Sequence, residues 1–231
     1  MTDKILLIDK PAGWTSFDVC AKIRGRIKAD YRARGEKPTK RQLRVGHAGT
    51  LDPFATGLLI VLLGDATKKA AEFLKLDKWY DATITLGVTS TTGDPEGEIT
   101  EISKKEEATK EEIIEILAKF TGEIIQRPPV FSAIKINGQR AYKLARDGRE
   151  VEMPERRVTI HSLELIDYAY PELKLRIHVS SGTYIRSLAI DIGEALGAGA
   201  YCSQLRRTQI ANWSVLSAQS PEEAIANRAQ A

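Results

Sequence analysis

Gly46-His47-Ala48-Gly49-Thr50-Leu51-Asp52-Pro53-Phe54-Ala55-Thr56-Gly57-Leu58-Leu59 is the stretch on which the reading of this chain turns. Taken alone, it is a glycine-rich loop that carries one carboxylate and runs into an apolar strand or helix. A lone aspartate before a proline is ordinarily a turn residue or a helix N-cap, because its short carboxylate can accept from nearby backbone N–H groups. Whether Asp52 does more than that depends on what surrounds it.

Upstream, Ile5-Leu6-Leu7-Ile8 is a short apolar run punctuated by Pro11 and Gly13, which reads as a buried strand ending in a turn. Thr15 offers an N-cap with Asp18 three residues on. Val19, Ile23 and Ile27 then follow on one helical face. From Lys22 to Arg44 the composition turns basic: Lys22, Arg24, Arg26, Lys28, Arg32, Arg34, Lys37, Lys40, Arg41 and Arg44 are set against only Asp30 and Glu36. Such a run is either a solvated face or an arm that contacts phosphates.

Downstream, Tyr80, Ala82, Ile84 and Leu86 alternate with Asp81, Thr83 and Thr85, the period of a half-buried strand. Thr109 and Glu112 form a capping box ahead of Ile113, Ile114, Leu117 and Phe120, with Gly122 just past the end. Leu173, Leu175, Ile177 and Val179 alternate with Lys174, Arg176 and His178. Ile185, Leu188, Ala189, Ile192 and Leu196 then fall at helical spacing. Ser181-Gly182-Thr183-Tyr184 is therefore a strand-to-helix junction, with Arg186 in the first turn of the helix. The tail from Ser217 is polar and alanine-rich and reads as a helix that frays. Strands and helices alternate without a βαβ rhythm, which indicates an α+β fold.

The bulk numbers narrow the function. The chain has 231 residues, 42% hydrophobic and 28% charged, with a formal net charge of +3. This is the composition of a globular protein, and the charge total by itself identifies no partner. Cys20 and Cys202 form no C-x-x-C pair and read as two buried thiols in a reducing cytosol. No apolar run is long enough for a signal peptide or a membrane span, so the reading is cytoplasmic, with no membrane partner. Neither a phosphate loop nor a dinucleotide-binding turn is present. The three histidines, His47, His161 and His178, show no metal-ligand spacing in the sequence. Catalysis, if any, falls to carboxylates, cations and aromatic rings.

With its neighbours, the Asp52 stretch resembles the catalytic motif of the TruB family of tRNA pseudouridine synthases, G-H-x-G-x-L-D-P-x-A-x-G. Further segments follow in the family's order. Leu7 to Ser16 resembles the N-terminal motif. Lys78-Trp79-Tyr80, the strand after it and Thr92-Gly93-Asp94 resemble the tyrosine motif. Arg127 to Lys135, with Tyr142, Ala145-Arg146 and Gly148, resembles a thumb-like RNA-binding segment of about residues 126–155. Ser181 to Arg186 and Leu205-Arg206-Arg207 complete the set. The resemblance covers the chain from Lys4 to about Ile210.

The resemblance implies one pseudouridine synthase catalytic domain over residues 1–231, with a central mixed, mostly antiparallel sheet flanked by helices. It implies isomerisation of a T-loop uridine of tRNA, position 55, without cofactor or metal, by a monomer. Asp52 is then the catalytic carboxylate, which could stabilise the sugar cation, add to it or shuttle a proton. Tyr80 would stack on the uracil and relay its proton, and Arg186 would be the guanidinium that keeps Asp52 charged. Also by resemblance, His47 would fill space near the flipped nucleotide, Tyr184 and Leu205 would wall the base pocket, and Lys10 would be a substrate-binding lysine near the site. Family members commonly carry a C-terminal PUA domain, and this sequence is read as lacking one. Two rival readings are a catalytically silent RNA-binding module and a guide-RNA-dependent synthase that needs accessory proteins.

Overall fold

A computed structural model describes residues 4–102, 107–132, 134–136 and 138–229. Along the chain run β1 (Lys4–Lys10), α1 (Ser16–Ala33), β2 (Val45–Ala48), β3 (Thr56–Leu63), α2 (Ala70–Leu74), β4 (Lys78–Leu86), β5 (Val88–Ser90), β6 (Ile99–Glu101), α3 (Lys110–Lys119) and β7 (Gly122–Gln126). There follow β8 (Lys135–Ile136), β9 (Gln139–Arg140), α4 (Ala141–Arg146), β10 (Arg156–Ala169), β11 (Glu172–Val179), α5 (Ile185–Ala195), β12 (Ala200–Ile210), β13 (Trp213–Ser214) and α6 (Pro221–Ala229). This is the expected α+β mixture. Of the sequence readings, Ala133 and Asn137 in the thumb-like segment and the last two residues of the tail lie outside the described residues.

The chain divides into two compact units, Met1–Tyr80 with Arg206–Ala231, and Asp81–Leu205. The divisions fall within β4 and within β12. In the first unit β3 pairs antiparallel with β1, from Lys4↔Leu63 to Lys10↔Gly57, and with β2, from Val45↔Leu63 to Ala48↔Ile60. It also pairs in parallel with β12 at Arg206↔Thr56 and Arg207↔Gly57.

β3 resolves the strand-or-helix ambiguity of its apolar run. Leu59, Val61 and Leu63 join a cluster with Val19, Ile23 and Ile27 of α1. Leu58, Ile60 and Leu62 join a second cluster with Phe73 and Ile210. A strand covered on both faces needs apolar residues at every position, so alternation disappears from its sequence. Each of these side chains, fully withdrawn from water, contributes about 1.5–3 kcal/mol.

α1 starts at the expected place. Thr15 accepts from the Asp18 N–H at 3.1 Å, and Asp18 Oδ2 accepts from the Thr15 N–H at 2.9 Å. β1 is less covered than its sequence implies: Ile8 is fully buried but Ile5 is 44% exposed. Ile8 joins the α1 cluster, and the half-buried Leu6 packs against it.

In the second unit the strand order is β7-β10-β11-β4-β12. β10 pairs antiparallel with both β7 and β11. The capping box of α3 forms as read, with Thr109 Oγ1 accepting from the Glu112 N–H at 3.2 Å. The thumb-like segment holds the short hairpin β8–β9, paired Lys135↔Arg140 and Ile136↔Gln139, followed by α4. Both cysteines are buried thiols, and burial pushes that of Cys20 up to about 11.

Candidate active site

Asp52 sits half-buried in the loop between β2 and β3. That loop is fixed on both sides of the carboxylate. Before it, Ser16 at the start of α1 accepts from the Leu51 N–H at 2.9 Å and donates its hydroxyl to the Leu51 carbonyl at 3.1 Å. After it, the Pro53 carbonyl accepts from the Gly13 N–H at 2.8 Å and from the Lys10 ammonium at 3.2 Å. The Ala55 N–H donates back to the Asp52 carbonyl at 3.1 Å, closing a turn.

Two buried cations accomplish much of this. Lys10 has no exposed surface, and its ammonium also donates to the carbonyls of Trp14 at 2.6 Å and Pro11 at 2.9 Å. Arg207, 1% exposed, donates from Nε to the Leu58 carbonyl at 2.7 Å and from Nη2 to the Gly49 carbonyl at 3.0 Å. It thereby spans the two stems of the Asp52 loop. Gly57 lets the strand approach: its φ is +102°, and a Cβ there would meet the Arg207 carbonyl oxygen at 2.3 Å. Beside it, Arg206 grips Asp9 through two nitrogens at 2.7 and 3.1 Å.

His47 lies on β2 in the same unit. Burial, with the Arg207 guanidinium as a second cause, holds its imidazole below the usual range, so the ring stays neutral near pH 7. Its Nδ1 is buried without a hydrogen-bond partner among the described residues. Lys78, at the start of β4, is drawn down to about 8, first by burial and then by Arg207, against the pull of Asp77. Its ammonium donates to the carbonyls of Leu74 and Leu76. Tyr80, two residues on, is 7% exposed.

The remaining expected site residues belong to the second unit. Arg186 occupies the first turn of α5 and is 2% exposed. Its Nη1 donates to Asp94 Oδ2 at 2.9 Å and to the Thr92 carbonyl at 3.0 Å, and its Nη2 donates to the Phe131 carbonyl at 2.8 Å. Asp94 is itself held, accepting at Oδ1 from the Thr92 hydroxyl at 2.5 Å and the Glu96 N–H at 3.0 Å. Tyr184 is the N-cap of α5, and its backbone exchanges two hydrogen bonds with the buried side chain of Gln126, at 2.8 and 3.1 Å. Leu205 on β12 is 8% exposed. Thr92 and Phe131 also line a cleft of about 1140 Å³, together with Glu150, Glu152, Asp191 and Glu194.

Lys10, Asp52, His47 and Tyr80 thus fall in one unit, and Arg186, Tyr184 and Leu205 in the other. Sequence reading missed the positioning roles of Ser16, Gln126, Asp94 and Arg207. Three of these lie in motifs quoted for the resemblance, but burial is what distinguishes them, and a single sequence does not disclose the burial of an arginine.

The basic run is divided in its employment. Arg24 donates to the carbonyls of Leu43 and Val45, Arg26 pairs with Asp30 at 2.7 Å, and Arg41 and Arg44 both pair with Asp65. Lys28, Arg32, Lys37 and Lys40 are exposed.

The fold is that of the pseudouridine synthases. The chain is similar to one in the crystal structure of a Cbf5–Nop10–Gar1 complex, with a TM-score of 0.64 and 31% identity, covering 89% of this chain and 48% of that one. It is similar also to one in an H/ACA RNP bound to a substrate RNA containing 2′-deoxyuridine, with a TM-score of 0.67 and 26% identity, covering 96% and 52%. The chain spans about half the length of these solved chains. Residues 37–185 match the TruB family pseudouridylate synthase (N terminal domain). tRNA pseudouridine synthase B of Parabacteroides distasonis is 46% identical over 220 residues, covering 95% of this chain and 91% of that protein. The enzyme of the same name from Corynebacterium jeikeium is 41% identical over 228 residues, covering 95% and 70%. The chain belongs to the TruB family of pseudouridine synthases.

Proposed function

We propose that the chain converts uridine 55 in the T-loop of tRNA into pseudouridine, with Asp52 as the essential carboxylate and without a cofactor. The reaction breaks the N1–C1′ bond, turns the uracil, and forms a C5–C1′ bond, while the proton lost from C5 is balanced by one gained at N1. Positive character develops at the sugar during cleavage, and a carboxylate beside it lowers that barrier. The observation that carries the reading is the Asp52 loop, tied at Leu51, Pro53, Gly49 and Leu58 by Ser16, Lys10, Gly13 and Arg207. A group whose position is fixed before substrate arrives loses no entropy at the reacting moment.

In this reading Tyr80 stacks on the base, a contact worth ~1–3 kcal/mol, and relays the C5 proton. Arg186 favours the ionised form of Asp52. The neutral His47, together with Tyr184 and Leu205, shapes the space around the flipped nucleotide. Lys10, by resemblance a lysine near the site, acts here through the backbone it ties down. The exposed Lys28, Arg32, Lys37 and Lys40 contact phosphate, as does the thumb-like segment. The enzyme is a cytoplasmic monomer. Among the described residues, no helix is long and apolar enough to cross a membrane.

The guide-dependent reading draws on the likeness to Cbf5, but the identity to enzymes named for tRNA is higher. The test is to incubate the pure chain with an unmodified tRNA transcript and map pseudouridine. Modification of one T-loop uridine with no other component supports the proposal, and a requirement for a guide RNA or a second protein overturns it.

A further inference from the structure

His161 and His178 stand 17 positions apart, a spacing that suggests nothing. The second unit places them side by side. β10 and β11 pair at Ile160↔Val179, and the register resumes at Ser162↔His178, so that His161 is the extra residue of a β-bulge. A bulge sets two residues of one strand against one of its partner and re-aims the side chain it inserts. On β11, Leu173, Leu175, Ile177 and Val179 are buried, and His178 belongs to the alternate, outward set with Lys174 and Arg176. The bulge brings the exposed His161 ring to the half-buried ring of His178. Their centroids lie 4.4 Å apart with the planes inclined at 40°, and a ligand nitrogen of each falls within 4.8 Å of the other's.

Two imidazoles bound to one zinc-like cation through bonds of about 2.0–2.1 Å, at an angle somewhat above 90°, hold their ring centres roughly 4.5–5 Å apart. The observed separation needs only a small rotation of the exposed His161 to meet that geometry. Local charge does not forbid a cation. Arg176 is paired with Asp81 at 3.1 Å, and Lys174 with Asp167 at 3.3 Å, so the two neighbouring positive charges are offset.

We propose that His161 and His178 form a surface site for a borderline transition cation, Zn²⁺, Ni²⁺ or Cu²⁺, with water in the remaining positions. Imidazole ligation favours these ions, whereas Mg²⁺ and Ca²⁺ require oxygen ligands and are excluded. The site takes no part in the isomerisation.

The test uses the full chain without a histidine tag, which leaves three histidines in all. Equilibrium dialysis against Zn²⁺, and Cu²⁺ titration followed by electron paramagnetic resonance, give stoichiometry and the number of coupled nitrogens. One equivalent should bind at micromolar free cation, with two nitrogens coupled. His161→Gln and His178→Gln should each weaken binding at least tenfold. His161→Gln, altering an exposed ring, should leave the fold and turnover unchanged. Three results overturn the proposal: no binding at millimolar cation, wild-type affinity in both variants, or loss on one substitution only.

Discussion

The ammonium of Lys10 lies 3.2 Å from the carbonyl oxygen of Pro53, the residue that follows Asp52. A buried cation thus helps to tie down the loop that carries Asp52. Lys10→Met keeps the length and removes the charge, leaving the carbonyls of Pro11, Trp14 and Pro53 without this donor. Each orphaned acceptor costs about 1–3 kcal/mol. Single-turnover rates should fall at least tenfold while RNA affinity stays within a few-fold. Equal losses in both would mean that Lys10 touches RNA directly.

Gly57→Ala should be severely destabilising. The added Cβ would stand 2.3 Å from the backbone oxygen of Arg207, at a φ of +102° that side chains avoid. Backbone on both sides leaves nothing flexible to move, so a loss of roughly 3 kcal/mol or more is expected from clash and strain together. A urea midpoint shift checks this, and an unchanged midpoint would show that β3 and β12 can separate at no cost.

Arg186→Lys should lose stability as well as rate. Two guanidinium nitrogens hold Asp94, Thr92 and Phe131 at once, a fork that a point charge cannot reproduce. Weakening a buried ion pair of this kind costs several kcal/mol. The comparison is thermal midpoint and single-turnover rate against RNA affinity in one buffer, and affinity should change least.

Burial, with Glu194 nearby, pushes the Asp191 carboxyl up from 3.8 to about 6. Between those values the folded chain holds a proton that the unfolded chain has released. The stability this group contributes is therefore present below about pH 4 and lost as pH rises through 6. Asp191→Asn removes the effect. The variant should be more stable than the parent at pH 7.5, and the difference should shrink by pH 5. The full shift would be worth ~3 kcal/mol, but Asp191 is partly solvated, so about 1 kcal/mol is expected. Urea titrations at the two pH values decide it.

α1, α3, α5, β4 and β11 were legible because each obeys a period, and α1 and α3 also begin with a capping box. β3 was not, because a strand buried on both faces has no alternation to read. Asp52 stood out only through its neighbours, whose order carried the family resemblance. What held the loop was hidden for a plain reason. Lysine and arginine are read as surface residues, yet Lys10 and Arg207 are among the most deeply buried side chains in the chain. Their burial becomes evident only when β1, β3 and β12 are laid side by side. The His161–His178 pair was hidden in a different way, since a bulge shifts register without leaving a spacing to recognise.

In the proposed reaction Asp52 performs the chemistry while the rest of its loop positions it. The most direct measurement is single-turnover conversion of a tRNA transcript by Asp52→Asn, with RNA affinity determined on the same preparation. The carboxylate becomes a neutral amide of equal size, so the backbone ties from Lys10, Ser16 and Arg207 remain. The variant should yield no detectable pseudouridine and should bind tRNA within a few-fold of the parent. Measurable turnover by a verified Asp52→Asn preparation would contradict the proposal.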